Sequence, residues 1–354
     1  MTGVRLEGER SSASVRPAAP RRFSFVGVTT GDSAIMRVFP VWAERLGFQD
    51  VVLAGHDLPL HAEPVRYREL VAALKDDPLD LGGLVTTHKL DLYAACRDLF
   101  DEVDRYAELT EEVSCLSKAG GLLRAHAKDP ISAGRALDEL VPNGYWRDTG
   151  AEALLFGAGG AGLAISLHLL TARAPEDRPG RIVAVDLDAA RLESMRRVHE
   201  RLGRDVGVEY VQNADPQGNR RLLAALPAGS LVVNGTGMGK DVPGSPVDEG
   251  ALFPARALVW ELNYRGELDF LRQARRQELP RGLTIADGWR YFIHGWTAAI
   301  EEVFQLEISS IMIEDLAEAA LPLRGRHGDN AGQSANLKRA GDTIQRTREG
   351  GGKS

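Results

Sequence analysis

Cysteine is nearly missing from this chain: Cys96 and Cys115 are the two it has in 354 residues. That is too little for a disulfide framework, and their positions do not have metal-ligand spacing, so reduced thiols in a cytoplasmic protein and no metal site are expected. Long apolar runs are missing too. No stretch approaches the roughly 18 residues of a membrane span, and the N-terminus carries arginines without the apolar segment of a secretory signal. Positive charge is in deficit, with 43 Lys and Arg against 50 Asp and Glu and a net charge of −7. That argues against a nucleic-acid partner, which usually needs a basic face. The pairs Arg196-Arg197 and Arg275-Arg276 read as solvated helix faces. There is no internal repeat. What remains is an ordinary composition, 44% hydrophobic and 26% charged, in a chain long enough for two domains.

The organising stretch is Leu154-Leu155-Phe156-Gly157-Ala158-Gly159-Gly160-Ala161-Gly162. It is an apolar strand running into Gly-x-Gly-x-x-Gly and then a helical run, Leu163 to Leu170. Gly157 allows a tight turn, Gly159 lets a pyrophosphate approach the backbone, and Gly162 lets the helix pack on the strand. The helix then aims free N–H groups and its positive dipole end at the phosphates, beside Gly160 and Ala161. A second strand, Arg181 to Val185, ends on Asp186, whose carboxylate suits ribose hydroxyls and repels a 2′-phosphate.

Elsewhere, Phe23 to Val28, Asp50 to Ala54 and Leu81 to Val85 read as strands, with helical patterns at Ser33 to Leu46 and Tyr67 to Leu74. Asp91 to Leu109 reads as one long helix, bent near Asp101. Val113 to Leu116 and Leu122 to Ala125 flank Gly120-Gly121, a hairpin signal. Trp289 to Ile313 is long, apolar-periodic and expected to fold back on the first domain. Ligands of open α/β sheets bind at the carboxyl ends of strands. This draws attention to Thr86-Thr87-His88-Lys89, His126-Ala127-Lys128-Asp129, Asn234-Gly235-Thr236-Gly237 and Asn263-Tyr264-Arg265. A lysine there can exchange protons, and an aspartate can orient it. From residue chemistry alone, an ordinary surface ion pair is the simpler account of Lys89 and Asp129.

A family resemblance shifts that balance. From Phe23 to about Leu321 the chain resembles the shikimate/quinate dehydrogenase family. Val85-Thr86-Thr87-His88-Lys89 is similar to the family's Val-Thr-x-Pro-x-Lys, whose lysine transfers the proton. His126 to Asp129 is similar to its Asn-Thr-Asp, and Leu154 to Gly162 to its Gly-Ala-Gly-Gly-Ala loop. Val232 to Thr236 resembles Val-Asn-Ala-Thr, Glu261 to Tyr264 resembles Asp-x-x-Tyr, and Asp287-Gly288 resembles the opening of the last long helix. The resemblance implies Lys89 and Asp129 as the catalytic pair. It implies Ser33, Thr86, Ser114, Tyr264 and His294 as substrate contacts, and Gly157, Ala158, Gly159, Gly160, Ala161, Asp186, Thr236 and Gly288 as cofactor contacts.

The departures are as informative. The family's Ser-x-Ser reads Ser33-Ala34-Ile35, its Ala-Val-Asn reads Glu112-Val113-Ser114, and the lysine loop is one residue shorter and lacks proline. The glutamine of the last helix falls on Gly295, beside His294. The proton-transfer pair is kept while the groups that read the ring substrate are rewritten. The expectation is therefore a two-domain α/β oxidoreductase acting on a secondary alcohol or ketone of a small polar, cyclic molecule. A substrate-binding domain at 23–130 would precede a Rossmann-type, doubly wound dinucleotide-binding domain at 131–287. Helices at 288–322 would return to the first domain, with a disordered arm at 1–22 and tail at 323–354. The run Asp186-Leu187-Asp188 favours NAD over NADP. No nucleic-acid or membrane partner is expected, and the assembly is a monomer or homodimer. The competing expectation is a non-catalytic dinucleotide-binding regulator or redox sensor on the same fold.

Overall fold

The computed structural model describes residues 19–203, 207–240 and 242–324. Twelve strands are distributed over two sheets among these residues. The first sheet contains β1 (Arg21–Gly27), β2 (Val51–Asp57), β3 (Asp80–Val85), β4 (Glu102–Val103), β5 (Cys115–Ala119) and β6 (Leu122–His126). Their order is β2-β1-β3-β5-β6-β4. β1 pairs parallel with β2 and β3, whereas β5 runs antiparallel to β3 and β6. The β5–β6 hairpin turns on Gly120 and Gly121, at φ of 60° and 80°, left-handed values that suit a tight hairpin loop.

The second sheet contains β7 (Ala153–Phe156), β8 (Ile182–Asp186), β9 (Val208–Gln212), β10 (Leu231–Asn234), β11 (Leu258–Glu261) and β12 (Thr284–Ala286). All its pairs are parallel, in the order β12-β11-β10-β7-β8-β9. The chain order reverses between β7 and β10, so this is a doubly wound sheet whose crevice opens after those two strands. Its four central strands, β11, β10, β7 and β8, are buried on both faces. Leu155, Val233 and Trp260 pack into one core, and Leu154, Phe156, Val232 and Val259 into the other. The side-chain period of two delivers alternate residues to opposite faces.

The helix Trp289–Phe304 leaves the second sheet and returns to the first. Trp289, Ile293, Trp296, Ile300 and Val303 join Phe23, Phe25, Ile35, Phe39 and Trp42 in one core. The following helix, Ser310–Ala320, completes it with Ile313 and Leu316, and the Trp42 indole N–H donates to the Leu316 carbonyl at 2.8 Å.

Four expectations need correction. The run Asp91 to Leu109 is not one helix: Lys89–Cys96 and Arg105–Thr110 are separate, with β4 between them. Asp101 instead accepts from the Leu123 N–H at 2.7 Å, and Asp104 caps the second helix by accepting from the Ala107 N–H at 2.7 Å. Aspartates that bond backbone in this way compete with a continuous helix. The run Trp289 to Ile313 also breaks. Gln305 adopts φ 52°, the Glu301 carboxylate accepts from the Ile308 N–H at 3.0 Å, and Ser309 caps the next helix. The arm assigned to 1–22 is shorter, because Arg21 and Arg22 already belong to β1, anchored by ion pairs to Asp50 and Asp77. The tail assigned to 323–354 is corrected likewise at its start, where Leu323 closes the short turn Leu321–Leu323 and Arg324 pairs with Asp287 at 2.6 Å; residues 1–18 and 325–354 lie outside the described residues. Among the described residues no helix is long and apolar enough to cross a membrane, and no group of His, Cys, Asp and Glu could hold a metal ion.

Candidate active site

Buried β3 delivers its carboxyl end to a sharp turn. The Thr86 N–H donates to the Val26 carbonyl at 3.0 Å, and Thr87 adopts φ 24°. His88 is buried with Nδ1 3.1 Å from the Tyr67 hydroxyl, and Lys89 then opens its helix. From the other side, β6 ends at His126, the Lys128 N–H donates to the Ser114 hydroxyl at 2.7 Å, and Asp129 opens the helix Asp129–Leu140. The Lys89 ammonium donates to Asp129 Oδ2, and the two side chains are 23% and 14% exposed. Burial works against the Lys89 charge, but the carboxylates of Asp129 and Glu112 outweigh it and hold its pKa above the ordinary value. The group is therefore an ammonium, with a proton it can donate to an oxygen placed beside it.

The pair faces a cavity of about 150 Å³. Thr86, Lys89, Ser114, Lys128, Asp129 and Ser132 supply its polar wall, and Tyr291, Phe292, Gly295, Trp296 and Ala299 the opposite one. Residues 291, 295 and 299 are one turn apart along the returning helix, which is why one face of it forms that wall. A wider groove of about 670 Å³ opens on the far side of Lys128, where Lys128 pairs with Glu302 and Arg135 with Glu301 at 2.6 Å.

The expected substrate contacts divide. Thr86 and Ser114 line the cavity. Ser33 does not: it ends the short turn Thr30–Asp32, and Ile35 beside it is fully buried in the core. Tyr264 also stands back, with its ring against Trp289 and Phe292 at centroid distances of 5.3 and 5.2 Å. His294 is turned away. Its Nε2 lies 2.7 Å from Glu139 Oε1, on the helix Asp129–Leu140. Burial disfavours the Glu139 charge, but His294 and Arg290 overcome this and bring its carboxyl down to about 2. The expectation takes His294, the neighbour of the Gly295 on which the family's glutamine falls, whereas the helical phase presents Tyr291 and Gly295 to the cavity.

The glycine loop is shaped as its sequence requires. Gly157 has φ 102°, and a Cβ there would lie 2.7 Å from the Gly235 carbonyl carbon, so this turn needs glycine. A Cβ on Gly162 would collide with the Gly157 carbonyl oxygen. A Cβ on Gly159 would meet no protein atom within 4 Å, leaving open space before the N–H groups that begin the helix Gly160–Thr171. That cradle suits a diphosphate. Asp186 is buried at the end of β8 and accepts from the Ala158 N–H at 2.8 Å and the Asp188 N–H at 2.9 Å. Thr236 sits in the loop packed on Gly157, its hydroxyl donating to Asn234 at 2.7 Å. Gly288 is required for a different reason: a Cβ there would strike the Leu262 carbonyl.

Sequence reasoning passed over several residues here. Glu112 is 5% exposed and lies between the lysine and the loop, with Oε2 3.7 Å from where a Cβ on Gly160 would stand. Tyr291 lines the cavity, and the 3.6-residue phase of its helix could have identified it. Glu261 is fully buried under the strand ends. It accepts from the side chains of Asn234 and Asn263, both at 2.7 Å, and so braces the Thr236 loop.

No family model matches the chain. It is similar to the shikimate dehydrogenase (NADP(+)) of Symbiobacterium thermophilum, 31% identical over 207 residues, which are 58% of this chain and 65% of that one. That alignment spans just under two thirds of the relative's length. The shikimate dehydrogenase (NADP(+)) of Methylocella silvestris is 29% identical over 280 residues, 78% of this chain and 88% of the relative. Among solved structures, quinate dehydrogenase from Corynebacterium glutamicum in complex with NAD superposes with a TM-score of 0.67 at 24% identity. The match covers 86% of this chain and 99% of that one.

Proposed function

We propose that the chain, which is similar to shikimate and quinate dehydrogenases, interconverts a secondary alcohol and a ketone on a small, polar, cyclic substrate. The observation that carries this reading is the part-buried Lys89–Asp129 pair facing a small cavity, beside a loop shaped for a dinucleotide. A bound nicotinamide cofactor supplies or accepts the hydride. Lys89 gives its proton to the carbonyl oxygen during reduction, or takes the hydroxyl proton during oxidation. Asp129 fixes the ammonium's direction, and the aromatic wall of Tyr291, Phe292 and Trp296 limits water around the transfer. General acid–base help of this kind contributes typically about 10²–10⁴-fold. Retention of both members of the pair argues against a non-catalytic regulator on the same fold.

For the cofactor, Asp186 and Asp188 support NAD, since both place carboxylate where a 2′-phosphate would need a cation. The curated relatives are named for NADP(+). The cation nearest to hand for that alternative is Arg191, whose Nε is 3.8 Å from Asp188 Oδ2. For the substrate, the cavity's two lysines are both engaged by carboxylates, which supports a neutral polyol ring or a substrate with a differently placed acidic group. A screen of NAD and NADP reduction with cyclitols, hydroxy acids, quinate and shikimate tests the reading. Turnover with one of them supports it, and dinucleotide binding without turnover on the whole panel would return the protein to the regulator class.

A further inference from the structure

Glu112 lies between the Lys89–Asp129 pair and the glycine loop and has no part in the proposed chemistry. Where the family carries alanine, this chain has a carboxyl 5% exposed to solvent. Among the described residues, that side chain makes no hydrogen bond and no ion pair within 4 Å. A charge held with so little contact with water is costly, which favours the neutral form of this carboxyl. On one side of Glu112 stand Lys89 and Asp129, whose charges it feels. On the other is the start of the glycine-loop helix, with Glu112 Oε2 3.7 Å from the Cβ position of Gly160. That helix is 12 residues long and has no acidic residue in its first turn, so its N-terminal N–H groups are open to an anion.

Resting on the dinucleotide reading above, we propose that Glu112 is a cofactor-facing acid that must be protonated for the dinucleotide to be held, so that binding takes up a proton. The diphosphate would bring negative charge into the corner that an ionised Glu112 already occupies, and like charges in a poorly solvated space oppose each other strongly. Few other groups can relieve that repulsion. Lys89 is the cation facing Glu112, and Asp129 engages it. The partly buried Tyr291 phenol faces the same cluster and is held neutral by desolvation and by Asp129 and Glu112. The glycine-loop helix begins Gly160-Ala161-Gly162-Leu163, with no charged side chain. The neighbouring Glu111 is turned to Arg201 at 3.1 Å. Burial, opposed by the attraction of Lys89, already brings Glu112 up to about 7. A protonated Glu112 is also a donor that a phosphate or ribose oxygen can accept from. Its neutralisation removes one of the two carboxylates that hold Lys89 as an ammonium, which would ease the lysine's proton exchange once the cofactor is in place.

The test is calorimetric titration of the full chain with NAD and with NADP at pH 8, in buffers of different ionisation enthalpy. The wild type is expected to take up close to one proton per dinucleotide, with affinity falling about tenfold per pH unit above pH 7.5. Glu112→Gln is expected to take up none and to bind with an affinity flat from pH 6 to 8.5. Glu112→Ala, with the family's own residue, should do the same and guards against a fault peculiar to glutamine. Equal proton uptake by wild type and both variants overturns the proposal. If neither dinucleotide binds the wild type, this proposal and the oxidoreductase reading fall together. Proton-linked binding without turnover of any substrate leaves the role of Glu112 standing and overturns the oxidoreductase reading alone.

Discussion

The Lys128 ammonium is paired with the Glu302 carboxylate across the helix that returns from the second sheet. The other lysine of the cavity, Lys89, is paired with Asp129. Neither cation is left to neutralise a substrate carboxylate, and Ile35, where the family has its second serine, is buried in the core. Shikimate and quinate are therefore expected to be poor substrates. Each missing charge-assisted hydrogen bond is worth on the order of 1.5–3 kcal/mol, so two losses amount to roughly a hundredfold or more in affinity. Steady-state kinetics check this, and a sub-millimolar KM for either acid would contradict it.

Removing the acid should abolish turnover while sparing the cofactor. Lys89→Ala is expected to lower kcat by about two or more orders of magnitude with dinucleotide affinity little changed. Asp129→Asn should also be severe, since it leaves the ammonium without its orienting charge. Single-turnover kinetics beside equilibrium cofactor binding separate the two effects. A Lys89→Ala enzyme with near-native kcat would remove the mechanism.

Cofactor choice is expected to follow the carboxylates of β8 and its loop. The ratio of kcat/KM for NAD over NADP should exceed unity by one to two orders of magnitude, given about 1–3 kcal/mol for one unfavourable polar contact. Asp188→Ala, which also frees Arg191 from its neighbour at 3.8 Å, should move that ratio toward NADP. An unchanged ratio in this variant would dissociate Asp188 from the choice.

Stability should fall as pH rises from about 4.3 to about 7. Burial raises Glu261 to about 7, against the hydrogen bonds from Asn263 and Asn234 that favour its charge, whereas an unfolded glutamate titrates near 4.3. A raised acid favours the folded state fully below about pH 4.3, and that contribution is lost as pH rises through about 7. The loss is on the order of 3 kcal/mol. Urea unfolding at pH 5.5 and 8 should show a wild-type decline that is smaller in Glu261→Gln. Equal declines would show that Glu261 does not set the slope. Glu139, brought down to about 2, acts oppositely and loses its contribution only as pH falls from about 4.5 toward 2.

The glycine loop, the strand before it and Asp186 after it were legible in the sequence because their constraints are local. A φ of 102° at Gly157 and the close passage at Gly162 can be met by no other residue type, so the requirement is written at each position. The doubly wound sheet followed in the same way from apolar runs buried on both faces. The long helices were misjudged where an aspartate or a left-handed Gln305 interrupted an otherwise good periodicity, since side-chain hydrogen bonds to distant backbone leave no periodic trace. Lys89 and Asp129 were found through a resemblance to known motifs, but their pairing was settled by two helices starting face to face at the ends of β3 and β6. Tertiary structure alone turned His294 onto Glu139, gave Lys128 to Glu302 and set Glu112 between the lysine and the loop. Residue type fixes what a side chain can do, but its partner depends on which surfaces the fold brings within a few ångströms, and burial then decides which charges survive.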